Sequence, residues 1–140
     1  MRVFLDTDVI LDLLLAREPF FAGAARLFLL IQDRKIEGFV SPLSFSNLFY
    51  ILRKKRSGPE ALVALRKLRR LTRVLQAGEE TIDQALASSF TDFEDAIQYY
   101  AAHAEELDAV VTRNKEDYRP ARLPILTAEE CIQVFLSSQR

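Results

Sequence analysis

Short apolar runs alternate along this chain with longer stretches whose apolar residues recur every three or four positions. That alternation restricts the fold more than any other feature. Residues 3–5 form the first run, and the Asp6, Thr7 and Asp8 that follow are helix-start residues for a helical segment over 9–15. The spacing of Phe20, Ala24, Leu27, Phe28 and Ile31 predicts a second helix, and 36–40 a second strand. Ser41 and Pro42 end that strand, and helical spacing resumes over 43–52 and again over 59–71. A short strand near 74–75, helices over 81–87 and 93–104, and strands at 109–112 and 124–126 complete the pattern. Thr127 and Glu130 stand at the spacing of a capping box that opens a last helix.

Strands separated by helices imply parallel pairing through right-handed crossovers, with helices on both sheet faces, so the expected class is α/β. The 140 residues suit one domain over 1–140, with no repeat, linker or second compositional zone. With 49% apolar and 28% charged residues, 4 Gly and 5 Pro, disordered and low-complexity classes are excluded. The single Cys131 excludes an internal disulfide framework and a cysteine zinc site, and it reads as a small core residue. Asp6 interrupts the first apolar run too early for a signal-peptide core, and no run approaches the ~20 residues of a membrane span. A soluble, cytoplasmic protein is expected.

In open α/β sheets chemistry gathers beyond the carboxyl ends of the strands. That rule selects Asp6 and Asp8 after the first strand, and Asn114 and Asp117 after the strand ending at Thr112. Asp92 and Asp95, three apart, would share one helix face and Glu94 would point elsewhere. Carboxylates crowded in this way repel one another unless a hard divalent cation sits among them, and magnesium or manganese is the natural occupant. Taken singly, Asp8, Asp12 and Glu94 read as solvated or capping carboxylates. His103 lacks companion ligands and reads as a surface or packing residue. The aromatics Phe45, Phe49, Tyr50, Tyr99 and Tyr100 suit core or dimer packing better than base stacking.

Four segments in order, Leu5 to Asp12, Ser41 to Ser44, Asp92 to Gln98 and Val111 to Tyr118, make the chain resemble the PIN domain family, including its VapC-type toxins. The resemblance implies a PIN-like three-layer α/β/α sandwich with a central parallel sheet. It also implies a metal-dependent endoribonuclease that binds RNA, forms a homodimer and is neutralised by an antitoxin protein. Asp6 matches the first acidic position, Asp95 the third, and Asn114 with Asp117 the last, while Thr112 matches a supporting polar position. Asp6, Asp95 and Asp117 are then the expected metal ligands for Mg2+ or Mn2+, with Asn114 a ligand or an orienting group for metal-bound water.

The second acidic position falls on Asn47, which is a departure. An amide oxygen can ligate magnesium, but it carries no charge and cannot act as a base. Weaker metal binding is therefore expected, with Asp92 supplying a compensating carboxylate and Asn47→Glu raising affinity. A scaffold that binds RNA or protein through a weakened metal site is the non-enzymatic alternative. Phe4 to Val9 also resembles the Asp-x-Asp loop of haloacid-dehalogenase-like phosphatases, where Asp6 would be the nucleophile, although a later Gly-Asp metal motif is missing.

The formal net charge is −1, so attraction to nucleic acid must be local. Nine of the nineteen basic residues lie within 53–73, beside one acid, Glu60. Arg66, Arg69 and Arg70 on that limb are either a solvated helix face or phosphate contacts for RNA.

Overall fold

The computed structural model describes residues 1–139. Its strands and helices fall where the periodicity puts them. In chain order they are β1 (Arg2–Leu5), α1 (Thr7–Leu14), α2 (Phe21–Gln32), β2 (Glu37–Val40), α3 (Pro42–Lys55), α4 (Gly58–Leu71) and β3 (Arg73–Val74). Then come α5 (Glu79–Leu86), α6 (Phe93–Ala104), β4 (Ala109–Val111), a single 3-10 turn (Lys115–Tyr118), β5 (Ile125–Leu126) and α7 (Ala128–Ser138). The five strands form one sheet in the order β3-β2-β1-β4-β5, and every pairing is parallel. This is the α/β/α arrangement expected of a PIN-like fold.

Successive side chains of a strand point to opposite faces, and the core divides accordingly. Val3, Leu5, Val40, Ala109 and Val111 face a layer built from α1, α2, α7 and the α3–α4 pair, through Ile10, Leu27, Ile31, Leu48 and Ile132. Phe4, Phe39 and Val110 face the other way, onto Tyr99, Ala101 and Ala102 of α6 and onto Tyr118. Val3, Phe4 and Leu5 are fully buried, and each such side chain contributes about 1.5–3 kcal/mol of transfer free energy. Gly38 lets α2 lie close on β2. A Cβ there would stand 2.9 Å from Leu5 Cδ1 and 3.1 Å from Ile31 Cδ1.

Helix starts follow local chemistry. The Ser41 hydroxyl accepts from Ser44 N–H ahead of Pro42, and Thr127 and Glu130 close the expected capping box. Asp6 ends β1 and caps α1, accepting from Thr7 N–H. The chain therefore turns at Asp6 in the middle of the sheet. On one side of β1 stands β2 and on the other β4, the point where the strand order reverses and a crevice opens. No described helix is long and apolar enough to cross a membrane.

Candidate active site

The crevice is a cleft of about 560 Å³ at the carboxyl ends of β1 and β4. Asp6, Asp8, Asp92, Glu94, Asp95 and Asp117 all line it, as do Asn47, Asn114, Arg17 and Arg113. A groove of about 620 Å³ between α1 and α4, lined by Leu13, Leu14, Phe28 and Leu68, is mostly apolar and offers no comparable chemistry.

Asp6 lies at the floor, 8% exposed. Its Oδ1 accepts from Thr7 N–H at 2.8 Å, and its Oδ2 accepts from the hydroxyls of Thr112 at 2.9 Å and Tyr118 at 3.3 Å. Thr112 thus supports Asp6 directly, from the residue after β4. Asp95 comes from the first turn of α6, and its Oδ1 is also 3.3 Å from the Tyr118 hydroxyl. A phenol has one proton, so it donates to only one of the two carboxylates at a time. The second contact is a hydrogen bond when that carboxyl is itself protonated.

The electrostatics agree. Burial, then the charge of Asp8, raises Asp6 from 3.8 to about 6, against the lowering effect of its hydrogen bonds. Burial, then the charges of Asp6, Asp92 and Asp117, raises Asp95 from 3.8 to about 7. Burial and the carboxylates of Asp6 and Asp95 push the Tyr118 phenol far above its ordinary value, so it remains a donor.

Asp8, Asp12 and Glu94 are not the solvated or capping charges that their sequence context suggests. Asp8 Oδ2 accepts from Arg113 N–H at 3.2 Å and Asn114 Nδ2 at 3.1 Å, and it lies 3.4 Å from the Thr112 hydroxyl, whose one proton goes to Asp6. Its Oδ1 is buried and has no partner among the described residues. Asn114 is therefore turned toward Asp8. Asp12 is 1% exposed and is held by Arg113, through Nε at 2.8 Å and an NH2 group at 3.1 Å, and by Arg17 Nε at 3.1 Å. The Arg113 guanidinium also lies 3.9 Å over the Phe20 ring.

This pair bolts the loop after β4 to α1. Replacing Arg113 by Ala leaves a buried carboxylate with one cation, so a loss of about 2–3 kcal/mol in denaturant unfolding is expected. Arg113→Lys restores only part of it, because the two-pronged contact is gone.

Glu94 enters the cleft instead of pointing away from it, and its Oε1 accepts from Asn47 Nδ2 at 2.8 Å and Gln98 Nε2 at 3.4 Å. Asp92, in turn, is not on a helix face with Asp95. It precedes α6 in extended conformation and its Oδ1 accepts from Asp95 N–H at 2.9 Å. Its carboxylate is exposed and one of its oxygens is engaged at its own helix end, while the residue still lines the cleft and its charge acts on Asp95. Asp117 is exposed on the 3-10 turn at the cleft rim. Arg66, Arg69 and Arg70 lie on α4 and none lines the cleft; the cations that do are Arg17 and Arg113. His103 and Cys131 are a surface and a buried residue respectively.

Among the described residues no three Asp, Glu, His or Cys side chains are already gathered as a finished metal cage. The donors are nevertheless all oxygens on acids that repel one another, with one buried Asp8 oxygen left without a partner. That set fits a hard cation such as Mg2+, which keeps several waters and takes only one or two carboxylates.

A family model described as PIN domain matches residues 2–116. The chain belongs to the PIN domain family. It is 23% identical over 134 residues to Ribonuclease VapC1 of Aquifex aeolicus, covering 92% of each chain. The fold is that of a toxin–antitoxin complex chain from Klebsiella pneumoniae, with TM-score 0.68 and 18% identity over 91% of this chain and 98% of that one. It is likewise similar to Mycobacterium tuberculosis VapC20, described as a sarcin-ricin loop cleaving toxin, with TM-score 0.62 and 18% identity over 77% of this chain and 86% of that one. This PIN membership sets aside the phosphatase alternative, and with it an Asp6 nucleophile.

Proposed function

We propose that this PIN protein, one domain over 1–140, is a cytoplasmic Mg2+- or Mn2+-dependent endoribonuclease and the toxin of a toxin–antitoxin pair. The observation that carries the reading is the approach of Asp6 and Asp95, 89 positions apart in sequence, to one Tyr118 hydroxyl at the strand-end cleft. Similarity to Ribonuclease VapC1 supports the activity, and similarity to toxin–antitoxin complexes supports an antitoxin partner.

Asp6 and Asp95 would hold the cation, with Asp117 binding it directly or through water. A bound divalent ion supplies Lewis-acid polarisation of a phosphodiester and lowers the pKa of water. The chain's own groups do the positioning. Thr112 and Thr7 fix both oxygens of Asp6, so its carboxylate is oriented before any ligand arrives. Asn114 and the Arg113 amide orient Asp8 beside it.

Incubation with total cellular RNA in manganese and in chelator, followed by mapping of the cut ends, tests the reading. Metal-dependent cuts at defined positions are expected. Saturable RNA binding without any metal-dependent cleavage would select the scaffold reading.

A further inference from the structure

Asn47 is a poor ligand by its own chemistry, and the group it meets is a carboxylate. Asn47 Nδ2 donates to Glu94 Oε1 at 2.8 Å, across the space between α3 and α6. Gln98, 1% exposed, donates to the same oxygen at 3.4 Å. The orientation of Gln98 is itself fixed, because its Oε1 accepts from the buried Ser44 hydroxyl at 3.2 Å, which turns Nε2 toward Glu94. Ser44 in turn accepts from the Thr7 hydroxyl at 3.2 Å, and Thr7 sits between Asp6 and Asp8. A polar chain thus runs from the start of α1 through α3 to the start of α6, and it ends on Glu94.

The choice of donors is informative. A carboxylate kept only for the fold is well held by Lys or Arg, which cancels its charge. Glu94 is held by two neutral amides, which bring no opposing charge to it. Its Oε2 takes no hydrogen bond among the described residues, and the residue lines the cleft with Asp6 and Asp95. The two cleft arginines are committed to Asp12. Retaining one more uncancelled negative charge in this cleft raises the repulsion there unless a cation relieves it.

We propose that Glu94 is the carboxylate that meets the divalent cation from the α3–α6 side of the cleft, and that Asn47 is its positioning residue and not a defective ligand. The inference rests on the metal-dependent reading above. It reverses the effect expected of adding an acid at position 47. A glutamate there would face Glu94 across the distance that Asn47 now bridges, and like charges would drive both from the site.

Mn2+ titration of the metal-free protein by calorimetry, with thermal unfolding in chelator as the folding control, tests this. Glu94→Gln is expected to weaken Mn2+ binding about tenfold or more, with unfolding in chelator unchanged or at a higher temperature. Asn47→Glu is expected to weaken binding as well, and Asn47→Glu/Glu94→Gln, which exchanges amide and acid, to recover most of the wild-type affinity. Wild-type affinity in Glu94→Gln alongside loss in Asp95→Asn would overturn the role of Glu94 while leaving the nuclease reading in place. Tighter binding by Asn47→Glu alone would show that Asn47 is simply a weak ligand and overturn the inference. If the wild-type protein binds no Mn2+, both readings fall together.

Discussion

Asp95→Asn is expected to abolish metal-dependent RNA cleavage, by about a hundredfold or more, and at the same time to raise the unfolding temperature of the metal-free protein at pH 8. Most substitutions of partly buried polar groups destabilise. Here the sign reverses because burial and three neighbouring carboxylates already work against the Asp95 charge. The amide keeps the size of the side chain and can still accept from the Tyr118 hydroxyl that lies 3.3 Å from Asp95. Paired measurements decide the matter: cleavage of a labelled RNA in manganese, and thermal unfolding in chelator. Retained cleavage would remove Asp95 from the site, and an unfolding temperature lowered in chelator would mean that its charge is balanced in a way the geometry does not show.

The second large effect is a fall in the stability of the metal-free protein as pH rises from about 4 to about 7. Asp6 and Asp95 titrate near 6 and 7 in the folded chain and near 3.8 when exposed. Across that window the folded form holds protons that the unfolded form releases. Their stabilisation is therefore complete below the unfolded value and is lost as pH passes the folded one. For the buried Asp6 the difference corresponds to about 3 kcal/mol. The more exposed Asp95 contributes less than its own raised value suggests, because solvent screens its charge. Urea unfolding at successive pH values should show the slope, and Asp6→Asn/Asp95→Asn should flatten it. Saturating Mn2+ at pH 7.5 should restore the lost stability by mass action, with protons released on binding. A flat profile in the metal-free wild type would contradict the crowding of these acids.

Much of the architecture was legible because local and global signals agree. The runs 3–5 and 109–112 are short and apolar, and they became the buried β1 and β4, while Thr127 and Glu130 mark a helix start that the fold keeps. The strand-end rule pointed to Asp6, Asp8, Asn114 and Asp117, and these line one cleft, because a sheet's connectivity dictates where its loops collect. The misses share a cause. Periodicity relates Glu94 to Asp95 on one helix, but it is silent about the Asn47 amide arriving from another. Asp92 and Asp95 share a spacing, yet the helix begins at Phe93, so the first of them is a cap. Tyr118 reads as an aromatic at the end of a motif, and only the single 3-10 turn delivers its hydroxyl between Asp6 and Asp95. The Asp12–Arg113 ion pair was invisible for the same reason, since Arg113 lies 101 positions away.

The two outermost strands, Arg73–Val74 and Ile125–Leu126, are only two residues long. A strand from another molecule laid along either margin would find almost no backbone left to pair with, which also guards the sheet against edgewise aggregation. A binding protein thus gains little by extending the sheet at either margin.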